Sequence, residues 1–180
     1  MNRKAPAYQL PGLFRRSVLT IAVVFGLSLP AGSALGAGEH ACDYLSKDEV
    51  AAVLAAEMGE VQVQPANPMG QSICFFDIPA DMAVRFAQLQ MVRTAWAERG
   101  GKAWNAPSLF ENNMSLLDNL QEIAGIGEKA YWGGSCLKLG AGLHVLYKDA
   151  YFTIQAATGD EQHNLQKAKE LAAVVLKKIN

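Results

Sequence analysis

Residues 143–156 read LHVLYKDAYFTIQA, in which two strand-like runs are separated by Lys148 and Asp149. Both runs are rich in β-branched and aromatic residues, and a connection this short is typical of a β-hairpin. Parallel strands need long crossover connections, so this spacing predicts antiparallel pairing. The stretch therefore indicates the type of sheet on which the rest of the domain is built.

The best-marked helix start lies at Ser46, well before the hairpin. Ser46 can cap a helix, and Glu49 three residues later completes a capping-box pattern. Gly59 is a natural stop. The pattern predicts a helix with one apolar face that carries Val50, Val53, Leu54 and Met58.

Three strand patterns follow this helix. Residues 60–64 alternate with period 2, which predicts a strand with one wet face. Residues 72–78, SICFFDI, have consecutive apolar residues, which predicts burial on both faces. The run 83–93 changes phase, and a bulge near Phe86 would explain the change.

Two further helices and a second set of strands complete the chain. Residues 94–99 begin as a helix that breaks at Gly100, and a capping-box pattern from Pro107 to Glu111 predicts a helix as far as about Gln121. Three or four strands follow, and a long amphipathic helix begins after Gly159. The order predicts a single α+β domain with three main helices packed on a mostly antiparallel sheet.

The first 37 residues have the pattern of a cleavable secretory signal peptide. Residues 1–16 hold four basic side chains and no acid, residues 17–29 are apolar, and the small residues AGSALGAG follow Pro30. We expect cleavage after residue 36 or 37, which leaves residues 38–180 as one exported domain in the periplasm or outside the cell. The general secretory route is favoured, although Arg15 and Arg16 also fit a twin-arginine signal.

Charge excludes two classes of partner. All 17 acidic residues and 12 of the 16 basic residues follow Leu29, so the exported part has a net charge of −5. A domain with this charge lacks the basic surface of a protein that binds nucleic acid or anionic membranes. Glu39, three places before Cys42, also argues against lipid attachment, so we expect no stable membrane insertion after cleavage.

The strings CDYLS (42–46) and GIGEKAYW (125–132), with a second cysteine in a strand between them, resemble a broad set of small secreted bacterial domains. These domains have no known function and are best known among actinobacterial lipoproteins and extracellular sensor modules. The resemblance implies an exported domain that binds something, often with a disulfide. It implies no catalytic residue.

The three cysteines permit one disulfide in an oxidising compartment. We prefer Cys42 with Cys74, because this bridge would tie the start of the domain to a central strand. The pairs Cys74–Cys136 and Cys42–Cys136 remain open, since connectivity does not follow from sequence. In the preferred pairing Cys136 is a free thiol.

The sequence offers two candidate reactive sites, a metal-binding N-terminus and a thiol active site. Cleavage after Ala37 would expose Gly38-Glu39-His40, an N-terminus whose nitrogens suit Cu(II) or Ni(II) in a square plane. Cleavage after Gly36 would put His40 fourth and abolish this chelate. A thiol enzyme or hydrolase would instead use Cys136 as nucleophile and His144 as its base, although no residue to orient the histidine can be identified.

Three aromatic residues near predicted loops, Trp104, Tyr131 and Trp132, are the candidate binding residues. Together with the absence of a catalytic motif, they predict a non-enzymatic exported binding or accessory protein. Its partner would be a protein or an apolar small molecule, and no resident cofactor is expected. Copper or nickel handling and thiol catalysis are the alternatives.

Overall fold

A computed structural model describes residues 40–79, 85–99, 101, 104–134 and 141–179 of the chain. The predicted signal peptide, Gly38, Glu39 and Cys136 lie outside these residues. In chain order the elements are a 3₁₀ turn at Ala41–Asp43, α1 (Lys47–Leu54), β1 (Val61–Gln64), β2 (Gln71–Asp77), β3 (Phe86–Arg93), α2 (Thr94–Arg99), α3 (Ala106–Leu116), β4 (Gln121–Glu122), β5 (Lys129–Gly133), β6 (Gly142–Tyr147), β7 (Ala150–Ala157) and α4 (Glu161–Lys178).

The strands form one seven-stranded sheet in the order β1-β2-β3-β7-β6-β5-β4, and all neighbouring strands are antiparallel. The predicted hairpin joins β6 to β7 through Lys148, which adopts a φ of 52° in the turn. At the centre, β3 pairs with β7 along its whole length and so joins the two halves of the chain. The predicted α+β architecture is confirmed.

One side of the sheet, which we call the covered face, carries the main core. Leu89 lies between Cys74 and Ile154 in the sheet, and all three side chains are fully buried. Helix α4 packs on β6 and β7, and α1 packs against α4. The buried stripe of the last helix consists of Ala168, Leu171, Ala172 and Val175, and Ile179 follows directly after it.

The preferred disulfide is present. Cys42 is bonded to Cys74, with their Cα atoms 5.0 Å apart. The bridge fixes the 3₁₀ turn to β2, the second strand from the sheet edge. Arg93 fixes the same region from β3, because its guanidinium donates to Asp149 in the β6–β7 turn and to the hydroxyl of Tyr44.

Ser72 is a fully buried polar residue beside this bridge. Its hydroxyl accepts from the N–H of Ala41 (2.9 Å) and donates to the carbonyl of Gln64 (2.7 Å). Ser72→Ala leaves both backbone groups without this partner, so we expect a loss of about 2 kcal/mol in the free energy of unfolding. Urea denaturation measures it. Ser115→Ala removes only an exposed hydroxyl and should cost much less; equal losses would contradict the prediction.

Helix α1 begins as predicted but ends earlier. The capping box at Ser46 is formed, and the carboxylate of Glu49 also pairs with Lys178 of α4. The predicted end at Gly59 is wrong, because Ala55 already adopts a left-handed conformation with φ 48°. Met58 is buried although it lies beyond the helix, so its apolar contact is made from an irregular segment.

Helix α3 differs from its prediction at both ends. Its cap is Asn105, which accepts from the N–H of Ser108 (2.8 Å), and Glu111 of the predicted box pairs with Lys129 instead. The helix ends at Leu116 rather than near Gln121, and Leu116 is 73% exposed. Residues Gln121–Glu122 instead form the edge strand β4, which the sequence did not predict.

The strand patterns need three corrections. Strand β2 alternates between buried and half-buried side chains, so it is not buried on both faces. Strand β3 begins at Phe86 and pairs with β2 without interruption from there to Val92, so the described strand contains no bulge. Val63 is 48% exposed, because β1 is the sheet edge and the core does not reach it.

Candidate binding face

Among the described residues, helix α3 covers only part of the face opposite the main core. Helix α3 packs on β6 and β7, where Phe110 contacts the ring of Tyr151 at a centroid distance of 5.5 Å. Six neighbouring side chains on this face are half-buried: Ile73 and Phe75 of β2, Gln88 and Gln90 of β3, and Thr153 and Gln155 of β7. We call these six residues the open patch.

Strand register places the open patch in two rows. Gln88 lies between Phe75 and Gln155, and Gln90 lies between Ile73 and Thr153. None of the six side chains is charged: two are apolar, three end in an amide and one carries a hydroxyl. An amide can both donate and accept hydrogen bonds. The patch therefore offers apolar area together with hydrogen-bonding groups and no formal charge of its own.

A polar network lies where the open patch meets α3. The Nδ1 atom of His144 is 3.0 Å from the hydroxyl of Tyr151 and 3.1 Å from that of Thr153. Asn113 of α3 donates from Nδ2 to the same Tyr151 oxygen at 3.1 Å. The network thus joins the helix to β6 and β7 through side chains that lie far apart in the sequence.

Burial favours the neutral form of the His144 imidazole. Burial lowers the pKa of His144, and a hydrogen bond to the backbone of Gly133 opposes this effect only in part. Nδ1 faces two hydroxyls, and each of them can donate to it or accept from it according to which ring nitrogen carries the proton.

The three aromatic residues predicted to bind a partner do not share one surface. Tyr131 lies on the α3 side of the sheet, and its ring is 6.0 Å from that of Phe110. Trp132, the next residue of β5, points to the covered face and packs against the main core. Trp104 lies two residues before α3 and is 43% exposed. Strand alternation separates Tyr131 from Trp132, which sequence proximity could not show.

Of the three residues in the predicted metal site, the structure describes only His40. Its backbone N–H donates to the carboxylate of Asp43 at 3.1 Å, in the cap of the 3₁₀ turn. An N-terminal chelate would use this nitrogen as a ligand, so metal binding would have to break the cap. Within the described ranges, no group of three or more His, Cys, Asp or Glu residues is placed to hold a metal ion.

The predicted thiol site is not placed, because Cys136 lies outside the described residues. Its proposed base, His144, already has the hydroxyls of Tyr151 and Thr153 within hydrogen-bond distance of Nδ1. The sequence did not single out Tyr151, Thr153 or the glutamines of β3. The sequence feature that could have identified the two glutamines is the alternation in residues 86–91, FAQLQM, which places both on one face of the strand.

Comparison with known proteins gives no match: no family model, curated protein or solved structure is similar enough to assign this chain to a family. The resemblance to small secreted domains therefore remains an expectation. No helix in the described part of the chain is both long enough and apolar enough to cross a membrane.

Proposed function

We propose that the chain is an exported, non-enzymatic binding protein that receives a protein partner on the open patch. One observation carries the proposal. Strands β2 and β3 bury Cys74, Phe76 and Leu89 on the covered face, yet Ile73 and Phe75 stay only half-buried on the other. Apolar side chains that a domain leaves next to hydrogen-bonding groups are typical of an interaction surface.

A protein fits this surface better than an apolar small molecule does. Small ligands bury most of their area in concave sites, whereas the open patch is spread over three adjacent strands of a sheet. The amides of Gln88 and Gln90 can pair with backbone or side-chain groups of a partner. The Cys42–Cys74 bridge supports export, because disulfides persist in oxidising compartments.

Copper or nickel handling has less support. It requires a mature N-terminus at Gly38 and the release of the His40 amide from Asp43. Mass spectrometry of the exported protein distinguishes the two cleavage sites, and a chain that begins at Ala37 would exclude this chelate.

The binding proposal is tested with Ile73→Asp and Gln88→Lys in one variant, because both put charge into the neutral patch. We expect the affinity for the partner captured by the wild-type protein to fall at least about tenfold, as for the loss of an interface hot spot. The partner is isolated by photo-crosslinking from a probe at Gln90, and its affinity is then measured by titration.

Two controls make this test decisive. Ala173→Lys places a charge on an exposed position of α4, on the far side of the sheet, and should leave the affinity unchanged. Trp104→Ala tests the aromatic residue chosen from the sequence. The proposal is wrong if the double variant binds like the wild type while retaining its circular dichroism spectrum, or if Trp104→Ala alone abolishes binding.

A further inference from the structure

The two edge strands of the described sheet differ in how they are protected from pairing. Strand β4 has only two residues, and one of them, Glu122, is charged. Strand β1 has four residues, Val61–Gln64, and all of them are uncharged. A very short strand, a charge or a proline commonly keeps an edge from pairing with another chain. Strand β1 has neither a charge nor a proline within its length, so its outer edge is the better suited to accept a further strand.

Hydrogen bonds show which backbone groups of β1 face outward. The N–H of Asp77 donates to the carbonyl of Glu60, so these two residues form a hydrogen-bonded pair of the antiparallel ladder. Such pairs alternate with non-hydrogen-bonded ones, so Gln62 also directs its backbone groups to β2. Val61 and Val63 direct theirs away from the sheet. No strand in the described part of the chain pairs with these outward groups.

The side chains of β1 indicate what kind of strand would fit beside it. Val63 lies opposite Cys74 on the covered face, yet it is 48% exposed, because the core ends before this edge. Gln62 and Gln64 lie on the other face, on the side of the open patch. An added strand would therefore present apolar residues on one face and uncharged polar residues on the other. Strand β1 itself has this alternation.

We propose that two copies of the chain pair edge to edge through β1, antiparallel, about a two-fold axis that passes perpendicular to the sheet at Gln62. In this register Val61 of each copy lies opposite Val63 of the other, and each such pair exchanges two backbone hydrogen bonds. The exposed valine gains an apolar neighbour. Glu60 lies opposite Gln64 of the second copy, so the pairing brings no like charges together.

Backbone groups on either side of β1 decide the register. An axis at Val63 would place Val61 opposite Pro65, which has no N–H for the carbonyl of Val61. An axis at Val61 would place Val63 opposite Gly59, whose N–H already donates to the end of β2. With the axis at Gln62, both valines use their N–H and their C=O. This register is therefore the one that satisfies every outward group of the two valines.

The pairing would place both open patches on the same face of the dimer, because a two-fold axis perpendicular to the sheet keeps each face on its own side. If the proposed binding function is correct, one partner can contact two patches at once. The pairing itself does not depend on that function, and the experiments on it need no partner.

Sedimentation equilibrium of the exported protein tests the pairing directly. A concentration series from about 1 to about 500 µM covers a weak interface of this size and should show a reversible equilibrium between monomer and dimer. A protein that stays monomeric over the whole series would overturn the proposal.

Charged variants test the position of the axis. Gln62→Lys puts like charges directly opposite each other and should raise the dissociation constant at least about tenfold. Gln64→Lys adds the same charge at another exposed position of β1, opposite Glu60 of the second copy, and should not weaken the dimer. An equimolar mixture of Gln62→Lys and Gln62→Glu should dimerise again. Equal effects of the two lysine variants, or no recovery in the mixture, would contradict the register.

Introduced cysteines test the distance across the axis in a Cys136→Ala background. Gln62→Cys places two thiols in a non-hydrogen-bonded pair, where the Cα atoms are about 4.5 Å apart and a disulfide can form. Gln64→Cys is the control, because its two Cα atoms would be about 13 Å apart along the strands. Mild oxidation should crosslink the first variant only. Failure of Gln62→Cys to crosslink, or equal crosslinking of both variants, contradicts the pairing.

Discussion

Phe76→Ala is expected to lower the free energy of unfolding by about 3–5 kcal/mol, as for other large-to-small changes in a packed core. Phe76 is 1% exposed and belongs to the core between the covered face and the helices. Its neighbour Phe75 lies on the opposite face, half-buried, and stacks on Phe86 at a centroid distance of 5.4 Å. Phe75→Ala should therefore cost only about 1–2 kcal/mol.

The two phenylalanine variants also separate stability from binding. Urea denaturation of both proteins gives the two losses in stability. Phe75→Ala, which remains folded, should bind the crosslinked partner more weakly, because Phe75 belongs to the open patch. If the two substitutions destabilise the domain equally, the assignment of the two faces is wrong.

Removal of the disulfide should have an effect of similar size. Cys42 and Cys74 are 32 residues apart, and closing a loop of this length stabilises a domain by about 3–4 kcal/mol in the chain-entropy model. We expect the double variant Cys42→Ala, Cys74→Ala to lose about this much. Replacement by alanine avoids placing a hydroxyl at position 74, where the side chain is fully buried.

Reduction of the wild-type protein provides the matched control. A reducing agent should destabilise the wild type about as much as the double substitution does, and should leave the double variant unchanged. Thiol labelling of the denatured wild type should count one free cysteine, Cys136. Three free thiols in the exported protein, or an insensitive wild type, would contradict a stabilising role for the bridge.

Together these experiments distinguish changes that act on stability, on one side of the sheet, from changes that act on binding, on the other. Changes at Phe76 or at the disulfide are expected to act through the stability of the whole domain. Changes at Ile73, Phe75 or Gln88 are expected to act on partner binding. A folded variant that loses binding is informative only when its stability has been measured in parallel.

Much of the fold was determined locally and was therefore predictable. The capping box joins Ser46 to Glu49 within one helical turn, and the β6–β7 hairpin needs only Lys148 and Asp149 between its strands. Such features depend on partners a few residues away, so the sequence pattern contains the whole interaction. The antiparallel α+β class follows from the short connections in the same way.

The tertiary structure decided what depends on distant partners. The sequence SICFFDI has no pattern to tell Phe75 from Phe76, and only the main core on the covered face buries Phe76 and leaves Phe75 half-buried. Helix α3 stops at Leu116, the next residue is already extended, and residues 121–122 pair with β5 instead of continuing the helix.

The polar network around Tyr151 also depends on residues that lie far apart in the sequence. Asn113 meets Tyr151 across 38 residues of sequence, and burial in the folded domain lowers the pKa of His144. The sequence alone determined the class of fold and the cap at Ser46, because both depend on residues that lie close together in the chain. Which side chains are buried, and which stay half-buried on the opposite face, was decided only when distant segments packed together and excluded water from one side of each strand.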